Sequence, residues 1–132
     1  VQLYCYMSLQ RGKGFSRISA EEWRNCKPVI ATNWADSCDS LPAETEQLVA
    51  YELRDLRENE YPFGENHHWA EQIISSATEK MEMVFNMSKT QRQEIGHKNR
   101  QHVADRYSIS TAAARYQALF TEYEKQLTIG AL

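Results

Sequence analysis

The segment VQLYCYMSLQRGKGFSRISAEEWRNCKPVIATNW, residues 1–34, constrains the fold more than any other part of the chain. Two apolar runs, Val1–Leu9 and Val29–Thr32, flank a glycine-containing loop and a short helical stretch. Val1–Leu9 is apolar on both faces of a strand, the pattern of a parallel strand covered from both sides. Two such strands joined through a helix are parallel neighbours, because a parallel pair requires a crossover connection. Ser16 or Ser19 can cap the helix, predicted over about Ile18–Cys26, and Pro28 separates it from the second strand.

The same alternation continues. Ala35–Leu41 reads as one turn of helix closed by Pro42, and QLVAYEL, residues 47–53, as a third strand. Residues 1–56 are therefore expected as strand–helix–strand–helix–strand, forming a short three-stranded parallel sheet with crossover helices. Residues 57–68 are expected as a polar loop, since Pro62 and Gly64 argue against regular structure. Residues 69–128 are expected as helices. Trp69, Ala70, Ile73, Ile74, Ala77, Met81, Val84 and Phe85 fall at helical spacing. Ser88 and Gln91 form a capping box for a second helix running to about Tyr107. Ser110 caps a third, whose stripe Ala113, Tyr116, Leu119, Phe120, Tyr123 and Leu127 reads as core.

At 132 residues the chain is one domain's length, long enough to bury roughly two thirds of its unfolded surface. Its 42% apolar and 25% charged composition is that of a globular protein. A net charge of −3 gives no electrostatic case for a nucleic-acid partner. No apolar run reaches the ~18 residues of a membrane span, and no secretory signal is visible. Cys5, Cys26 and Cys38 are an odd number without a C-x-x-C pair, which reads as free thiols in a reducing, cytoplasmic setting. His67 and His68 have no Cys, Asp or Glu at ligand spacing, so no metal is expected and no cofactor is called for. His97 and His102 read as surface residues of a charged helix. Neither a nucleophile elbow nor a phosphate-binding Walker loop is present.

Three passages together resemble the group 1 (family 4) glycosyltransferases, retaining enzymes of the GT-B fold. They are YMSLQRGKGFSRISAEEWRNCKPVIATNWADSCDSL, QLVAYELRDLRENEYPFGENHHWAEQ and HVADRYSISTAAARYQALFTEY, collinear and in the family's order. The resemblance covers nearly the whole chain and implies the second half of the donor-binding domain, a half-Rossmann arrangement. It also implies a piece of a longer enzyme, with the acceptor-binding lobe and the cations that hold the departing diphosphate lying upstream of Val1. Catalysis by the chain alone is not expected on that reading.

The loop after the first strand is where ligands of open parallel sheets bind, and a helix N-terminus suits a diphosphate. The resemblance gives Lys13, Gly14, Phe15, Ser16, Arg17, Ile18 and Glu21 as the donor- and nucleotide-binding set. Gly14 permits close approach of backbone to ligand. Glu21 takes the place of the family's glutamate that accepts the two ribose hydroxyls. Lys13 stands where the family has a sugar-binding glutamate; an ammonium has no acceptor and instead pairs with a phosphate. Ser16, Glu22, Trp23 and Cys26 stand where the family keeps smaller residues. The implied partner is a nucleoside diphosphate sugar. The alternative is an interaction module that keeps the fold without the donor chemistry.

In the family the first strand has a neighbour on each side, and one of these has no counterpart here. Val1–Leu9 is then an open, apolar edge, which implies a homodimer joined through that strand or the helices flanking it.

Overall fold

The computed structural model describes residues 4–12, 16–35, 41 and 45–130. Three short strands, β1 (Tyr6–Ser8), β2 (Val29–Thr32) and β3 (Leu48–Val49), form a parallel sheet in the order β1-β2-β3. Tyr6 pairs with Val29 and Ser8 with Ala31, while Ala31 and Thr32 pair with Leu48 and Val49 on the other side. The expected small parallel sheet is present, with β1 at an edge. Residues 1–3 of the predicted first strand, and most of the turn predicted at Ala35–Leu41, lie outside the described residues.

The crossover from β1 to β2 is helix α1 (Arg17–Arg24). Ser16 is its cap: its hydroxyl oxygen accepts the Ser19 N–H at 3.3 Å, supplying one of the helix's orphan donors with a partner. The helix stops because Cys26 turns left-handed, with φ of 56°. The N–H of Cys26 donates to the Trp23 carbonyl and that of Lys27 to the Glu22 carbonyl, each at 3.0 Å. This paired closure satisfies two carbonyls at the helix end.

Alternation along β2 divides the core. Val29 and Ala31 face Trp23, Ala20, Leu41 and Val103 on one side, where Tyr6 and Leu48 join them. Ile30 faces Val49, Ala77 and Val84 on the other, with Cys5, Met7, Leu9, Met83 and Met87. Helices α1 and α3 (Lys89–Tyr107) thus cover one face, and α2 (Ile74–Asn86) covers the opposite one. Trp23, 1% exposed, is the largest fully buried side chain.

The chain departs from expectation after β3. A single third strand over residues 47–53 does not form; Ala50 interrupts it, and Tyr51–Asp55 becomes β4 of a separate two-stranded sheet. Its partner is β5 (His68–Gln72), antiparallel, with Leu53 opposite Ala70 and Arg54 opposite Trp69. Residues 68–72, read as the end of a loop and the start of a helix, are therefore a strand, and the helical half begins at Ile74. Trp69 and Ala70 sat at helical spacing from Ile73 by coincidence. In β4 Tyr51 and Arg54 are half-buried while Glu52, Leu53 and Asp55 are exposed, which fits a ribbon with little of either face in a core.

The capping box at α3 is as expected: Gln91 N–H donates to Ser88 Oγ at 3.2 Å, and Ser88 N–H to Gln91 Oε1 at 2.8 Å. Helix α4 (Ile109–Gly130) is capped two residues earlier than expected, by Ser108 in place of Ser110; the Ser108 hydroxyl accepts the Thr111 N–H at 3.1 Å. Its stripe is not core. Tyr116, Leu119, Phe120, Tyr123 and Leu127 are each 57–66% exposed, since α4 packs mainly on α3 and reaches neither sheet face.

Candidate functional site

The C-terminal end of β1 runs into Leu9, Gln10, Arg11 and Gly12, and the chain re-emerges at Ser16, the cap of α1. This is the edge of a parallel sheet where strand ends and a helix N-terminus meet. The β4–β5 ribbon clamps the loop. Ala70 N–H donates to the Arg11 carbonyl at 3.0 Å, so β5 is bonded to β4 on one side and to this loop on the other.

Trp69 organises the space beside the loop. The Arg11 guanidinium lies 5.4 Å and that of Arg54 5.6 Å from its ring centroid. Tyr61 meets it edge-on at 6.4 Å. The two guanidiniums are bridged by one carboxylate: Glu71 Oε1 accepts from Arg11 Nη2 at 2.7 Å and Glu71 Oε2 from Arg54 Nε at 3.4 Å. Arg54 also forks onto Glu60 at 2.8 and 3.1 Å. The hydrogen bond from Arg54, then that from the Arg57 backbone N–H, pulls the Glu60 carboxyl down to about 2. The hydrogen bond from Arg11 likewise holds Glu71 below its ordinary value. In return Glu60 strengthens the hold of Arg54 on its proton.

Leu9, Gln10, Arg11, Gly12, Tyr61, Trp69 and Gln72 line a cavity of about 460 Å³ at this edge. Thr32 ends β2 along the same edge, 2% exposed, its hydroxyl without a hydrogen-bond partner among the described residues. A larger recess of about 790 Å³ lies within the 56–66 turn. Its walls are that one turn's own residues, so it lacks the convergence of separate elements that marks a binding site.

The residues singled out from sequence are distributed as follows. Lys13, Gly14 and Phe15 lie outside the described residues. Ser16 is buried and engaged as the cap, with its hydroxyl also 2.8 Å from that of Ser19, which is a structural task. Arg17, Ile18 and Glu21 are exposed on α1. Arg11, Tyr61, Trp69 and Thr32 were not singled out. Arg11 is brought to Trp69 by pairing between segments 58 residues apart, and no local pattern signals that. Among the described residues no group of His, Cys, Asp and Glu could hold a metal. Cys5 and Cys26 are free thiols.

These elements define a mixed α/β protein whose small parallel sheet presents a cation- and aromatic-lined edge. No known protein family matches the chain, and no curated protein and no solved structure matches it. Among the described residues no helix is long and apolar enough to cross a membrane.

Proposed function

We propose that the chain is a cytoplasmic, half-Rossmann, glycosyltransferase-like domain that binds a nucleoside diphosphate sugar at the loop joining β1 to α1. The observation that carries the reading is the cavity at the C-terminal end of β1, with Arg11 on its wall and α1 as the next helix along the chain. A diphosphate there meets a guanidinium and the free N–H groups of the first helical turn. Glu21, exposed on α1, accepts the ribose hydroxyls, and Lys13 pairs with a phosphate.

Arg11 is held by Glu71 at 2.7 Å, so a diphosphate has to compete with that carboxylate. Titration with uridine, guanosine and adenosine diphosphates, followed by calorimetry or chemical shifts, tests the reading. Binding at submillimolar concentration is expected for at least one of them. Glu21→Ala then weakens it by about 1.5–3 kcal/mol, the range for hydrogen bonds to a charged group. Glu71→Gln strengthens it by releasing Arg11. Absence of binding by all three nucleotides defeats the proposal.

A further inference from the structure

We infer that α4 is a self-association surface, on which a second copy of this chain docks its own α4 antiparallel to the first. This goes beyond the nucleotide-site reading and does not depend on it.

Tyr116, Leu119, Phe120, Tyr123 and Leu127 recur at intervals of three and four, so they share one face of the helix. All five are more than half exposed. From the exposure of such side chains the stripe offers roughly 500 Å² of apolar surface. A stable interface buries about 800 Å² on each partner. Ile109, 91% exposed, and the polar rim supply the remainder. Among the described residues of the Val1–Leu9 segment, where the sequence placed a self-contact, Tyr4 is half exposed and the β1 residues Tyr6–Ser8 are half-buried.

Charge decides both the partner and its direction. At 100° per residue, Arg115 and Glu122 border the same side of the stripe and Glu124 borders the other. In an antiparallel two-fold pair each border faces its own counterpart, running the opposite way. Arg115 of one copy then meets Glu122 of the other, and the reverse contact repeats it. The axis falls between positions 118 and 119, which brings Tyr116 of one copy beside the Phe120–Tyr123 stretch of the other and sets the two Leu119 side chains close to the axis. A parallel pair instead brings the Glu122 border against the Glu124 border, setting like charges together. The surface is complementary to itself in one direction only.

Sedimentation equilibrium or light scattering of the full chain is expected to give twice its 15.4 kDa mass at micromolar concentration. Leu119→Glu and Phe120→Glu, both at exposed positions, yield monomers with unchanged helical circular dichroism. Arg115→Glu and Glu122→Arg each weaken association by about tenfold, because each turns two symmetry-related pairs from attraction to repulsion. The double exchange restores it. A monomer throughout the micromolar range overturns the inference, leaving the stripe to another segment or another protein. So does a dimer indifferent to Leu119→Glu, or a double exchange no better than the single ones.

Discussion

Gly96 of α3 lies directly on the backbone of Cys26 at the end of α1. A Cβ built on Gly96 would fall 2.0 Å from the Cys26 carbonyl oxygen and 2.5 Å from its carbonyl carbon. The two helices therefore meet backbone to backbone. One turn further along α3, Asn99 and then Val103 are buried, Val103 within the Trp23 cluster. Around the same contact the Cys26 thiol lies 3.5 Å from His97 Nδ1 and 3.9 Å from Arg100 Nη1.

Gly96→Ala is expected to destabilise the fold by about 1–3 kcal/mol, the usual range for overpacking. Urea denaturation measures it. The obstructing atoms belong to the Cys26 main chain, so the loss should persist unchanged when Cys26 is replaced by Gly. A loss that vanishes in that background would place the clash on the side chain instead.

Cys26 occupies the left-handed position at a helix end where glycine is ordinarily preferred. Cys26→Gly and Cys26→Ala both remove the thiol and differ only in the Cβ. The glycine variant should be the more stable of the two by about 1 kcal/mol, the strain of a side chain in that conformation. Thermal unfolding of the pair decides it, and equal stabilities would remove the strain argument.

Acid should loosen the β4–β5 turn before it unfolds the sheet. The Glu60 carboxyl is depressed from 4.5 to about 2 in the folded chain, and that of Glu71 is lowered as well. Between those values the unfolded chain binds more protons than the folded one, so stability rises with pH there. The contribution is complete above about 4.5 and disappears as pH falls towards 2. The Arg57 amide, whose N–H donates to Glu60 at 2.7 Å, should lose protection against exchange, relative to its intrinsic rate at each pH, as pH falls across that interval. Glu60→Gln should remove the Glu60 share of the dependence and leave the part that comes from Glu71.

Trp69→Ala removes the ring that Arg11, Arg54 and Tyr61 share. Two exposed cation–π contacts are worth roughly 0.5–1 kcal/mol each, so a loss of about 1–2 kcal/mol is expected. The loop should loosen with it: the Ala70 N–H that donates to Arg11 exchanges faster, while that of Ala31 in the central strand does not. Parallel acceleration of both would mean a global rather than a local effect.

Trp23→Ala, in contrast, should cost about 3–5 kcal/mol, the range for emptying a fully buried aromatic site. Tryptophan fluorescence separates the two experiments, since Trp23 is buried and Trp69 only half so.

Local chemistry determined a good deal by itself. The Ser88–Gln91 box is written in neighbouring residues and sets the start of α3; for α1 the sequence offered Ser16 or Ser19 as cap, and the fold uses Ser16. The parallel pairing of β1 with β2 follows from two apolar runs and the crossover between them. Tertiary structure decided the rest. Trp69 and Ala70 match a helical period and a strand period equally well over so short a run. Arg54, Glu60 and Glu71 choose the strand, through contacts that close only when the ribbon folds. The α4 stripe carries a core pattern that spacing cannot distinguish from an interface. Periodicity reports that a face is apolar, and only the arrangement of neighbouring elements determines what, if anything in the same chain, covers it.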